Sequence, residues 1–140
     1  MAGTESQDEI RKLLDEMIEA QNSGDALRLR TMLSERPDAV HIGTDAGEWW
    51  TSGQLADDVA AVGGGDDIRA VADDIDVHVQ GDIAWAEGRG RFTGADGAER
   101  PVRMTCVLVR EGGQWTAVQS YAPIGSQTRT SSADAQRNGR

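Results

Sequence analysis

The stretch 81–93, GDIAWAEGRGRFT, decides the fold: it opens on a Gly-Asp turn and then runs with a period of two. Ile83, Trp85, Glu87, Arg89 and Arg91 fall on one side of it, as in a half-buried strand. Just upstream, Ile75, Val77 and Val79 alternate with Asp76, His78 and Gln80. Downstream, Ala95-Asp96-Gly97 suggests a turn, and 101–110 sets Arg103, Thr105, Val107 and Val109 against Val102, Met104, Cys106 and Leu108. Gly112-Gly113 turns into a last strand that reads with Trp115, Ala117, Gln119 and Tyr121 on one face. About four long antiparallel strands in a meander follow from this half of the chain.

The N-terminal half has a different period. Ser6-Gln7-Asp8-Glu9 has capping-box spacing, and Ile10, Leu13, Leu14, Met17 and Ile18 form one helical stripe behind it. Gly24 suits the left-handed end of that helix, and Asp25 can cap a short second one that buries Leu29, Met32 and Leu33 before Pro37. Val40 and Ile42 flank His41 in a short strand. Thr51-Ser52-Gly53-Gln54 is another capping box, opening a third helix with Leu55, Val59 and Val62 on its stripe and Gly63-Gly64-Gly65 at its end. Helices first and strands afterwards give an α+β class, with the helices covering the concave side of a curved antiparallel sheet. The open mouth of such a cone is where a ligand fits.

The 140 residues allow one domain. From Ser126 the sequence has no apolar residue larger than Ala, so 1–125 reads as the folded unit and 126–140 as a disordered tail. A net charge of −10 argues against nucleic acid and against an anionic membrane surface, since both need a basic face. Seven Asp against Arg69 in 57–76 read as a solvated face. No apolar run approaches the roughly 20 residues of a membrane span. The single Cys106 excludes an internal disulfide and fits a reducing cytoplasm. Lys12 is the one lysine, so nothing points to a lysine Schiff base.

The order of these elements and several local strings resemble the SnoaL-like branch of the ketosteroid-isomerase-like (nuclear transport factor 2) superfamily, including its small SgcJ-type proteins of antibiotic pathways. The strings are Gln21-Asn22-Ser23-Gly24-Asp25, Glu48-Trp49-Trp50 with Ser52-Gly53, Gly81-Asp82-Ile83-Ala84-Trp85, and Val109-Arg110-Glu111-Gly112-Gly113-Gln114-Trp115. The resemblance implies a conical domain over 1–125, a homodimer formed through the sheet, and an apolar pocket. It does not carry over the isomerase chemistry. The family's tyrosine falls at Met17, its aspartate base at Gly43 or Thr44 beside Asp45, and its protonated aspartate near Thr105. Relatives with a histidine in the last strand place it near Tyr121.

Family geometry turns Gln119 and Tyr121 toward the cavity, with Arg103 and Thr105 beside them on the neighbouring strand. These four either orient a carbonyl or carboxylate ligand or satisfy one another in a polar core. Trp49 and Trp50 lie where the family's loops close over the cavity, so either could stack on a flat ligand or fill the core. Trp85 and Trp115 read as core or dimer contacts. Asp76 and His78 share a strand face, as an oriented base or as a surface contact. His41 and His78 lack metal-ligand spacing, so no metal is expected, and nothing in the chain calls for a cofactor. Cys106 reads as a small core residue. Gly88 to Gly94 fails the dinucleotide spacing. The functional expectation is an accessory enzyme or binding protein of polyketide-type metabolism acting on an apolar, carbonyl-containing ligand, with no catalytic residue assigned. If it catalyses, Tyr121 and Arg103 would stabilise oxyanion charge and Asp45 is the nearest candidate base. The competing expectation is a non-catalytic dimeric association or carrier domain.

Overall fold

The computed structural model describes residues 2–43, 46–62, 69–94 and 96–122. Its elements are α1 (Ala2–Ser23), α2 (Ala26–Met32), β1 (Val40–Ile42), β2 (Trp49–Trp50), α3 (Ser52–Val62), β3 (Arg69–Gln80), β4 (Ile83–Thr93), β5 (Glu99–Glu111) and β6 (Gln114–Tyr121). The α+β class and the nuclear transport factor 2-like order of elements stand. α1 starts four residues before Ser6, which lies buried inside it rather than capping it. The caps at Gly24, Asp25 and Thr51 form as read. Gly24 has φ 72°, and Asp25 Oδ1 accepts from the Arg28 N–H at 3.1 Å. The box at α3 closes both ways, with Thr51 N–H donating to Gln54 Oε1 (2.9 Å) and Gln54 N–H to Thr51 Oγ1 (3.2 Å).

The six strands form one sheet in the order β2-β1-β6-β5-β4-β3. It is mixed where an antiparallel sheet was expected: β1 runs parallel to β6, pairing Val40 with Gln119 and Ile42 with Tyr121. The connection from β1 to β6 holds β2, α3 and the strands β3 to β5, which is ample for a parallel return.

α1 lies along β3 and covers parts of its free edge. Gln7 Nε2 donates to the Val77 carbonyl (3.1 Å), while Asn22 donates to the Ala70 carbonyl and accepts from the Ala70 N–H, both at 2.8 Å. The core joins Ile10, Leu14 and Met17 of α1 to Leu29, Met32 and Leu33, to Leu55 and Val59 of α3, and to Val77, Leu108 and Trp115 of the sheet. The concave side of β4 carries Ala84, Ala86, Gly88 and Gly90, all buried and all small. Those residues leave a hollow under α1 that larger side chains would fill. No described helix is long and apolar enough to cross a membrane.

Candidate functional site

A cavity of about 70 Å³ occupies that hollow. Leu14, Met17, Ile18 and Gln21 of α1 and Leu55 of α3 cover it, and Ile75, Ala86, Phe92, Met104 and Cys106 of the sheet form its floor. Ser120 closes its β6 end. The volume lies far below the roughly 300–1,000 Å³ of drug-sized pockets, so it suits a slender guest. Met17 and Met104 are flexible enough to yield to a somewhat larger one. Met17 stands in this wall and has no proton to donate.

The polar end of the cavity is built on His41, whose ring is fully buried. Its Nδ1 lies 2.8 Å from Ser120 Oγ and its Nε2 3.0 Å from Ser52 Oγ. Ser52 Oγ is also 2.6 Å from the Ser34 carbonyl oxygen. A carbonyl only accepts, so the single Ser52 hydroxyl proton goes to Ser34 and Ser52 must accept from His41 Nε2–H. Burial pushes the His41 pKa down to about 4, so the ring is neutral near pH 7 and Nδ1 is a bare acceptor. Ser120 Oγ–H therefore donates to Nδ1. The line runs Ser120, His41, Ser52, Ser34, from the cavity wall to a surface cleft of about 290 Å³ bordered by Ser34 and Ser52.

Sequence reasoning missed this constellation. It weighed His41 only as a metal ligand and did not single out Ser120, 79 residues away. The reason is a register shift where β5 pairs with β6: Val107 faces Gln119 but Leu108 faces Ala117, so β6 carries one residue more. Trp115 and Ala117 point inward, and beyond the bulge Ser120 does too, while Gln119 and Tyr121 turn outward.

The expected ligand residues are corrected accordingly. Gln119 and Tyr121 are exposed on the outer face. Arg103 lies opposite Arg89 on that face and is exposed, because its alternates Met104 and Cys106 take the inside. Thr105 borders the cavity but is itself exposed, on the same outer row as Glu87 and Tyr121. Trp49 is 66% exposed at the sheet edge, and Trp50 is half-buried against the core; neither lines the cavity. Of the expected donors, Arg103, Gln119 and Tyr121 are thus outside the cavity, and Thr105 borders it. Glu87, Arg89 and Arg91, whose side was open, are exposed, and Arg91 pairs with Asp73 and Glu99. Asp45, Gly63 to Gly65 and the tail lie outside the described residues.

Trp115 is core and Trp85 is on the outer face. His78 takes Glu87 as its partner, not Asp76, at 2.8 Å, and stacks on Trp85. Burial pushes the Cys106 thiol up to about 12, so it stays protonated and serves as cavity wall, not nucleophile. Among the described residues no three His, Cys, Asp or Glu side chains gather as a metal site.

A family model described as SnoaL-like domain matches residues 10–124. No curated protein matches the chain. Among solved structures, an NTF2-like protein of unknown function from Pseudomonas putida superposes with a TM-score of 0.72 at 19% identity, covering 86% of this chain and 87% of that one. The association domain of C. elegans CaMKII gives 0.72 at 13% identity, over 88% and 98%. A candidate dehydratase of the NTF2-like family from Streptomyces avermitilis gives 0.71 at 16%, over 86% and 96%. Identities this low speak for the fold alone. Over 10–124 the chain belongs to the SnoaL-like domain family, and it shares the NTF2-like fold of those structures.

Proposed function

We propose that this chain takes up a small, largely apolar organic molecule in the cavity under α1, as a binding protein or accessory enzyme of polyketide-type metabolism. The observation that carries the reading is a largely apolar hollow with a hydrogen-bonded polar corner at Ser120 and His41. A mostly greasy site with a fixed polar group orients a guest as well as holding it. The family supports the metabolic setting, and a buried thiol supports a reducing, cytoplasmic compartment. Calorimetric titration with single-ring aromatics and short polyenes tests it. Wild type should bind, and Met17→Trp, which fills the hollow, should melt as a folded protein and not bind. Wild type that takes up none of the panel, or a filled variant that binds equally, overturns the reading.

A second copy of the chain is the proposed partner. Val40, Gln119, Val107 and Trp85 form one row across β1, β6, β5 and β4 of the outer face, with Ile42, Tyr121 and Thr105 beside it. Trp85 and Ile83 are exposed there. A largely apolar row on an open sheet face suits self-association. The alternative role, an association or carrier domain with no guest, draws support from the shared fold of the CaMKII association domain.

A further inference from the structure

We infer that the cavity selects its guest by an O–H group: an alcohol or phenol that donates to Ser120 Oγ. This rests on the cavity being a binding site and names what that site recognises. A serine hydroxyl has one proton and two lone pairs. The Ser120 proton is committed to His41 Nδ1, because Nε2 is held as the donor by Ser52, whose own proton is held by the Ser34 carbonyl. Each link fixes the direction of the next, and the last acceptor is a backbone oxygen that cannot reverse. What Ser120 offers the cavity is therefore lone pairs.

A ketone, ester or ether oxygen brought to the same place would meet lone pairs with lone pairs. It could be accommodated only by turning the Ser120 hydroxyl away and leaving a buried imidazole nitrogen without a partner. Cys106, directly across from Ser120 in the sheet, does not change this, since a neutral thiol is a weak donor. Gln21 borders the cavity from α1 and its amide can serve either kind of guest. Discrimination therefore has to be read through Ser120 itself. A bound hydroxyl would lie one hydrogen bond from Ser120 and two from His41, with its oxygen held against the β6 end and its carbon skeleton along Met17, Phe92 and Met104.

The test uses 4-ethylphenol and its methyl ether, 4-ethylanisole, which share a skeleton and differ in the donor. Calorimetry on the full chain should show the phenol bound about five- to tenfold more tightly than the ether, the worth of one neutral hydrogen bond. Ser120→Ala should remove that preference by weakening the phenol and leaving the ether unchanged. Equal binding of the two by wild type leaves the cavity reading standing and overturns the hydroxyl inference. Absence of both overturns the two together. A second measurement needs neither guest nor variant: imidazole nitrogen NMR should report His41 protonated at Nε2 only. Protonation at Nδ1 would free the Ser120 proton for a carbonyl guest and overturn the inference whatever the titrations show.

Discussion

Ser120 Oγ lies 2.8 Å from His41 Nδ1, across the parallel β1–β6 seam, where His41 is in register with Ser120. Parallel neighbours in register put their side chains on the same face. The bulge in β6 decides that this face is the inner one. The pairing joins the first strand to the last and turns a buried histidine, costly without partners, into a satisfied one.

Acid should unfold this protein partly through His41. Its folded pKa is near 4, below the 6.5 of a free imidazole, so the unfolded chain binds a proton that the folded one refuses. Its stability contribution is then complete above about pH 6.5 and is lost as pH falls toward 4, by about 3 kcal/mol in all. Urea unfolding at pH 7 and pH 4.5 should show wild type losing more than His41→Asn, a difference that cancels the many carboxylates common to both.

The thiol of Cys106 should be silent in the folded protein. With its pKa near 12, reaction with a disulfide reagent at pH 8 should run roughly a thousandfold slower than in denaturant, where the ordinary value returns. Fast labelling of the native chain would place Cys106 in solvent and open the cavity floor.

Outer-face substitutions should separate association from binding. Trp85→Glu should shift a dimer toward monomer in sedimentation equilibrium, while Arg103→Ala and Tyr121→Phe should leave uptake of 4-ethylphenol unchanged. A several-fold loss of uptake in either of the latter would return Arg103 or Tyr121 to the site.

Gly90 should not tolerate a side chain. A Cβ there would run into the carbonyl oxygen of Val71, on the stretch of β3 whose register shifts between Ala72 and Asp74. Gly90→Ala should cost more than about 2 kcal/mol, read as a clear fall in melting temperature, because backbone has to move.

Cavity size should be adjustable from α1. Met17→Ala should cost about 2–5 kcal/mol and admit guests too broad for wild type, such as 2-naphthol. Unchanged selectivity in a folded variant would mean that Met17 does not limit the hollow.

Much of the fold was legible because its signals are local. The box Thr51 to Gln54, the Asp25 cap and the positive φ at Gly24 depend on residues within four positions of one another. Alternation also grouped Arg103 with Thr105, and Met104 with Cys106, correctly. Which group faced inward was misjudged, since a period of two fixes partners on a face and is silent about which side the helices take. On β6 even the grouping failed past Ala117, because one extra residue reverses every later side chain.

The sequence by itself determined three helices, the caps at Gly24, Asp25 and Thr51, the meander and the composition of the β4 and β5 faces, since these follow from backbone preference and the spacing of apolar side chains. Only the tertiary structure decided the parallel return of β1 beside β6, the bulge, and hence the meeting of His41 with Ser120 and Ser52. Those contacts join residues up to 79 positions apart. The energy that selects them, burial of an imidazole with both nitrogens satisfied, exists only once the sheet has closed.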